Sequence, residues 1–395
     1  MIQTGTFWLV VFGTAAVYWL LPRPLRLGFL AIASYLYLAS IDPVGVTALI
    51  GWTLLFFHVA PAAVRDRNRG GTVLTGLVLA ILSYLIWQKY LPAFLDLMGR
   101  ATPGVAVAVP LGISYFSFKL IHYAVETARG NIRDRSLSRF FCYIFLFPIF
   151  TAGPIERFEH FKANIADRFV AQTAAEGLIR IAHGLIKIFV IAQLVQPSHF
   201  GMGVPATSAA LLEQADGLAV WQTWAFLILT YLYAYLDFSA YSDIAIGTSR
   251  LFGIRIMENF RLPVVAQNIT DFWKRWHMTL AAWCQSYVYM PVLARTRMPY
   301  AAVYATFIAM GLWHGATGGW FLWGVYHASG VAGYTMWARR MRGRGWWRKA
   351  QGSGWKYLGI PLTFLFVSGS YAFSSAPEGA WSGIRIFLLA FGIRT

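Results

Sequence analysis

Long apolar runs recur along almost the whole chain, and they constrain its fold more than any other feature. They lie at 5–21, 27–41, 44–62, 72–91, 105–127, 176–196, 218–249, 300–316, 319–338, 355–374 and 381–393. An apolar run of about 17–25 residues can cross the hydrocarbon core of a bilayer as a helix. Two further segments, 139–153 and 272–292, are apolar but interrupted. They read as re-entrant or interfacial, because irregular backbone is tolerated at membrane depth only where protein or a water-filled cavity surrounds it. The expected fold class is all-α: a polytopic membrane protein with about eleven transmembrane helices. There is no internal repeat and no low-complexity tail, so residues 1–395 read as one domain. The run from Phe7 to Leu21 has no basic region before it and no small-residue cleavage site after it. It reads as a retained first helix rather than a signal peptide.

Composition supports this. Hydrophobic residues make up 58% of the chain and charged residues 12%, against about 25% charged in a soluble domain. The 17 Trp, 20 Tyr and 30 Phe suit rings that anchor helices at both membrane interfaces. The net charge of +17 lies in short loops between apolar runs. Topology and anionic lipid headgroups account for it, and no nucleic-acid partner is expected. Cys142 and Cys284 sit in apolar surroundings with no metal-ligand spacing.

Loop charge orients the chain. Arg65, Arg67 and Arg69 form one basic loop, and Arg129, Arg133, Arg135 and Arg139 another. Arg339, Arg340, Arg342, Arg344, Arg348 and Lys349 form a third. All three are expected in the cytoplasm. The loop at 198–217 has no Lys or Arg and carries Glu213 and Asp216, so it is expected outside. The N-terminus then starts outside, and the chain ends inside at Arg394.

Ionisable residues within membrane segments are costly, and each is a candidate for function. Residues 231–247 read YLYAYLDFSAYSDIAIG. Asp237 and Asp243 fall on opposite faces of a helix, and Tyr241 shares the face of Asp237. These carboxylates either tie helices together or act directly. Residues 258–280 read ENFRLPVVAQNITDFWKRWHMTL. Pro263 ends any helix before it. Asn268 or Thr270 can cap the next helix, with Asp271 in its first turn. Trp273, Trp276 and His277 are expected along one face of that helix. Lys274 and Arg275, between them, suit either an interfacial anchor or a docking site for an anionic group. An anchor alone needs no imidazole, which favours a function for His277. The third piece, MGLWHGATGGWFLWGVYH at 310–327, sets His314 among glycines that let backbone or ligand approach closely. Imidazole serves as a base or nucleophile near neutral pH; His327 follows on the next helix. The segment PIFTAGPIERFEHF at 148–161 reads as a loop or a channel wall. His58, His122, His160, His183 and His199 are scattered and read as structural. The chain has no nucleotide-binding glycine loop, CxxC, HExxH or GxSxG motif.

DFSAYSDIAIG, ENFRLP, ITDFWKRWHMTL and GLWHGA, with LFPIFTAGPIERF upstream, occur in the order seen in membrane-bound O-acyltransferases. The resemblance runs from about Pro110 to Gly330. It is closest to the bacterial branch that holds the alginate O-acetylation and D-alanyl-transfer membrane subunits. It implies a helical fold around a tunnel, with His314 matching the family's invariant histidine and His277 its second one. Trp313, Gly315, Trp276, Trp273, Asp237, Tyr241, Asp243 and Asn259 would line the tunnel or contact substrate, and Lys274 and Arg275 would hold a donor phosphate. No cofactor is expected to stay bound. The donor would be a cytoplasmic thioester, acetyl-CoA or a phosphopantetheinyl carrier protein. The acceptor would be a hydroxyl on an extracytoplasmic glycan or partner protein, and the site the bacterial cytoplasmic membrane. One departure stands out: Gln285 and Ser286 occupy positions where the branch carries Arg and Asp. Ala240 replaces a usual glycine, and VLARTRMP replaces a glycine-rich segment of the alginate type. Two other classes fit the residues: a proton-coupled transporter or flippase, and a non-catalytic scaffold derived from an acyltransferase. Missing repeated halves and paired broken helices argue against the transporter.

Overall fold

A computed structural model describes residues 2–65, 70–97, 109–346, 349, 354–376 and 379–394. Arg67, Arg69 and Arg348 of the basic loops, and residues 105–108 of one apolar run, lie outside the described residues. The regular structure of the described residues is helical, with one isolated bridge between Ile165 and Ile254. Four described helices are long and apolar enough to cross a membrane: Arg23–Ile41, Pro43–Val64, Gly70–Leu91 and Ala171–Leu194. The chain packs as two compact units. One comprises residues 1–184 with 241–257, the other 185–240 with 258–395.

In the first unit, helices Gly5–Leu20, Arg23–Ile41 and Pro43–Val59 follow each other with minimal linkers. Pro43 begins its helix where a missing N–H costs nothing, and Asp42 caps it by accepting from Gly45 N. The other oxygen of Asp42 accepts from Leu111 N at 2.9 Å. At the opposite helix ends, Arg135 donates to Phe57 O, Arg26 to Asp167 O, and Lys162 and Arg139 both pair with Asp134. Those two cations hold the exposed Asp134 carboxyl below its usual range. Loops at 21–26, 57–65, 129–136 and 162–168 thus share one end, and 42 and 109–111 the other. That is the alternation the loop charges predict. The interrupted segment 139–153 forms helix Leu137–Phe145 and a 3-10 turn Phe147–Ile149, with nearly every side chain buried.

Helices Ala171–Ile186 and Val220–Leu251 cross at reciprocal glycines. A Cβ on Gly247 would sit 2.5 Å from Gly177 O, and one on Gly177 2.7 Å from Gly247 O. Such close approach is how helices pack where lipid removes the hydrophobic drive between them. It brings Arg180 onto Asp243 and Arg250 onto Glu176.

The second unit corrects the topology. Its helix Ala380–Leu389 has only ten residues, about 15 Å at 1.5 Å per residue, half of a hydrocarbon core. As a helix, the run at 381–393 is therefore too short to cross the core by itself. Ser208 Oγ donates to Ser375 O, Trp224 Nε1 to Ala390 O, and Arg394 to Leu218 O. Ser375, Ala390 and Arg394 stay at the end that carries the acidic loop 198–217. Arg394 and that loop therefore share one end of this unit, where the loop charges set them at opposite ends. Cys142 and Cys284 are buried and leave a clean background for labelling. Cysteines placed by Asp216→Cys and Ile393→Cys should react with a membrane-impermeant maleimide from one side, and Arg342→Cys from the other. Labelling of 393 together with 342 would restore the original topology. Gly247→Ala should lower thermal stability in detergent by roughly 1–3 kcal/mol through overpacking. Gly13→Ala, which meets nothing within 4 Å, should not. Equal melting curves would remove the glycine contact as a packing determinant.

Candidate active site

His314 is the last residue of helix Pro299–His314. Its Nδ1 lies 2.7 Å from the carbonyl oxygen of Met310, one turn back. A carbonyl only accepts, so Nδ1 of the neutral ring carries the proton and Nε2 the lone pair. The next helix, Gly318–Met341, folds back against the first. Gly311 backs onto Trp320 O and Gly324 onto Phe307 O, where any Cβ would collide. Gly315 lies under the Trp320 indole, which leaves that ring stacked on His314 at 4.8 Å and 13°. Trp313 meets the imidazole edge-on at 4.7 Å, and Trp323 closes another side at 5.5 Å. His314 is half-buried, with three indoles around it and Nδ1 donating to Met310 O. Gly315 therefore makes room for Trp320 rather than for a ligand. Trp320 and Trp323 escaped the sequence reading, although the glycine spacing around His314 was the available signal.

His277 is built differently. The cap at Asn268 holds, since its side chain accepts from Asp271 N. The helix it starts, Ile269–Trp273, is only five residues long. The chain then turns, and His277 adopts φ 43° and ψ 50° at the head of helix Met278–Cys284. The single helical face expected for Trp273, Trp276 and His277 does not exist. Trp273 packs on Phe307, Trp323 and His327, whereas Trp276 packs on Tyr231, Phe260 and Phe272. His277 meets Phe238 edge-on at 4.8 Å. Its Nδ1 is 2.9 Å from Asn259 Oδ1. His277 and His327, both fully buried, each lie within electrostatic range of His314. His277 Nε2, Trp273 Nε1 and His327 Nδ1 are buried without hydrogen-bond partners among the described residues.

The two basic candidates separate. Arg275 pairs with Asp271 at 2.9 Å and reaches Arg261 O, so it braces the turn. Lys274 is exposed. Asp237 is half-buried on the long helix. In the first unit Asp243 pairs with Arg180, which selects the tying role for that carboxylate. Arg180, a charge inside an apolar run, was visible in the sequence and overlooked. Tyr241 hydrogen-bonds Thr151 at 2.8 Å and so anchors the 148–161 segment. Gln285 and Ser286 open a π-helical stretch, Gln285–Tyr289. Gln285 is exposed, and Ser286 Oγ donates to Ala282 O. Among the described residues no cluster of His, Cys, Asp and Glu is arranged to hold a metal ion.

Comparison with known proteins gives this geometry a family. Residues 32–373 match the model of the membrane-bound O-acyltransferase family. A probable alginate O-acetylase AlgI of Azotobacter vinelandii is 32% identical over 342 residues, covering 80% of this chain and 64% of the relative. A teichoic acid D-alanyltransferase of Bacillus subtilis is 29% identical over 374 residues, covering 88% of this chain and 90% of the relative. A peptidoglycan O-acetyltransferase of Helicobacter pylori is 30% identical over 302 residues, covering 68% and 54%. The chain spans less than two thirds of the length of the alginate relatives it matches, 64% and 62% for two of them. The chain belongs to the membrane-bound O-acyltransferase family.

Proposed function

We propose that this protein transfers an acyl group, acetyl or D-alanyl, from a cytoplasmic thioester to a hydroxyl on an extracytoplasmic cell-envelope glycan or partner protein. The observation that carries the reading is His314, its Nε2 made a lone-pair nitrogen by the Met310 carbonyl in a chain of this family. The names of the relatives, O-acetylases and a D-alanyltransferase, support the two acyl groups. The protein sits in the bacterial cytoplasmic membrane with loop 198–217 outside. Counting 139–153 and 272–292 as re-entrant and 381–393 as a half-crossing leaves about ten full crossings of the chain, and residue 394 then lies outside.

The chemistry follows from the geometry. The acceptor oxygen attacks the thioester carbonyl carbon while its proton passes to His314 Nε2. The tetrahedral intermediate collapses with cleavage of the C–S bond. The departing thiolate takes the proton back from His314, leaving an ester and a free thiol. The three indoles hold the imidazole in place and limit water, which would otherwise hydrolyse the thioester. Both donor classes carry a phosphate, and exposed Lys274 is the side chain of the 273–277 turn suited to meet it. Arg275 serves the fold instead.

Purified protein given labelled acetyl-CoA and, separately, D-alanyl carrier protein should turn over one of them. No turnover of either would favour the scaffold reading. His314→Ala should abolish that turnover while the protein stays folded and extractable; a variant with near-normal rates would end the assignment. The paired change Gln285→Arg with Ser286→Asp should alter the preference for donor or acceptor. Unchanged kinetics with both donors would make that departure from the branch incidental.

A further inference from the structure

Two motifs far apart in sequence are wound into one knot around His277. Arg261 N donates to Arg275 O at 2.9 Å, and Met278 N to Asn259 O at 2.9 Å, so residues 259–261 run beside 275–278. Each strand of the knot holds one non-glycine residue in the left-handed region, Leu262 at φ 46° and His277 at φ 43°. A bulky or ring side chain held there is strained. Asn259, fully buried, stands at the centre. Its Oδ1 accepts from His277 Nδ1 at 2.9 Å and from Thr279 Oγ1 at 2.8 Å. Its main-chain oxygen holds the intervening residue. The structure therefore fastens residues 277, 278 and 279 to one asparagine, while His277 Nε2 stays buried and without a hydrogen-bond partner among the described residues.

We propose that Asn259 is the positioning residue of the second histidine: it fixes His277 as the Nδ1–H tautomer and so presents Nε2 to the reacting groups as a hydrogen-bond acceptor. The role as a tunnel-lining contact expected from the sequence does not suit a side chain with no exposure. Imidazole has two tautomers, and the partner of one nitrogen decides which atom is free to act. The Asn259 amide oxygen faces both His277 Nδ1 and the Thr279 hydroxyl that donates to it. With oxygen there, Nδ1 must donate. A lone pair buried among Phe238 and Phe260 gains nothing for stability. Strain and an unmet acceptor at one residue are the marks of a group held for use. The inference rests on the acyltransferase reading for what Nε2 meets, but not for the tautomer.

The test has two independent arms. The first is nitrogen NMR of protein labelled with 15N-histidine in nanodiscs, with His277 assigned by its loss in His277→Gln. Wild-type His277 should show an unprotonated Nε2, and Asn259→Ala should show tautomer exchange. A protonated Nε2 in the wild type, or the same tautomer in Asn259→Ala, would overturn the proposal. The second arm is thioester turnover. Asn259→Ala should lower kcat by about 10²-fold, in the range a positioned acid–base group supplies, with little change in KM. Asn259→Asp, whose carboxylate still accepts from Nδ1–H, should recover to within about 10-fold of wild type. Equal rates for Ala and Asp would overturn it. If Asn259→Ala does not fold, the wild-type spectrum and the Asp variant decide. If the wild type turns over neither donor, the acyltransferase reading fails while the tautomer result stands.

Discussion

Lys119 shows the constraint on which the rest of this structure depends. Its ammonium is 1% exposed and donates to the carbonyl oxygens of Tyr143 and Ile144 at 3.0 and 3.3 Å. Those oxygens are the ones that helix Leu137–Phe145 leaves unpaired where it stops before Pro148. Within a bilayer no water can satisfy such groups, so the protein must do it. Glu156 follows the same rule: it is 1% exposed, accepts from His160 Nδ1 and Met257 N, and fixes the backbone of an otherwise irregular stretch. Irregular backbone at depth therefore comes with buried charge as its partner, and the scattered polar residues of the apolar segments are largely explained by it. His160 and Lys119 belong to this scaffold, as does Asp243 with Arg180.

Against that background the two histidines of the second unit are exceptions in different ways. His314 spends one nitrogen on the local carbonyl of Met310 and lies against aromatic surfaces. Its environment is supplied by a single helical hairpin, Pro299–His314 and Gly318–Met341, closed by glycines at its contact points. His277 is held by residues 18 positions away and in a backbone conformation that ordinary residues avoid. Indoles are suited to the first task because they fill space and exclude water without adding charge. An amide is suited to the second because its oxygen accepts two hydrogen bonds at once.

How much of this could be read from the sequence follows from the same physics. Apolar runs set helix existence, because lipid selects for them residue by residue. Asn268 and Asp271 were legible because capping depends on residues a few positions apart. The turn at His277 was not, because its left-handed φ is imposed by Asn259 and by the pairing of 259–261 with 275–278, not by local propensity. The run at 381–393 misled because hydropathy reports that a segment is apolar, not that it is long enough as a helix to cross. Arg180 misled in the opposite sense. A charge inside an apolar run was treated as part of the span, when its only tolerable position was against a carboxylate such as Asp243.

The difference between local and distant support also explains why the motifs are legible together but not apart. GLWHGA has what its histidine needs close by in sequence: the carbonyl comes from Met310, just upstream, and the stacking indole follows at Trp320. WKRWH does not. Read alone, it is an interfacial helix with a histidine on one face, and that reading is wrong here. Its geometry becomes sensible only with ENFRLP, whose asparagine supplies the acceptor and whose backbone pairs with the turn. Gln285 and Ser286 lie one short helix beyond this knot, at a π-helical stretch where the backbone ladder is already interrupted. The departure from the branch thus lies on a stretch that packs against helix Pro299–His314, the helix that ends in the first histidine.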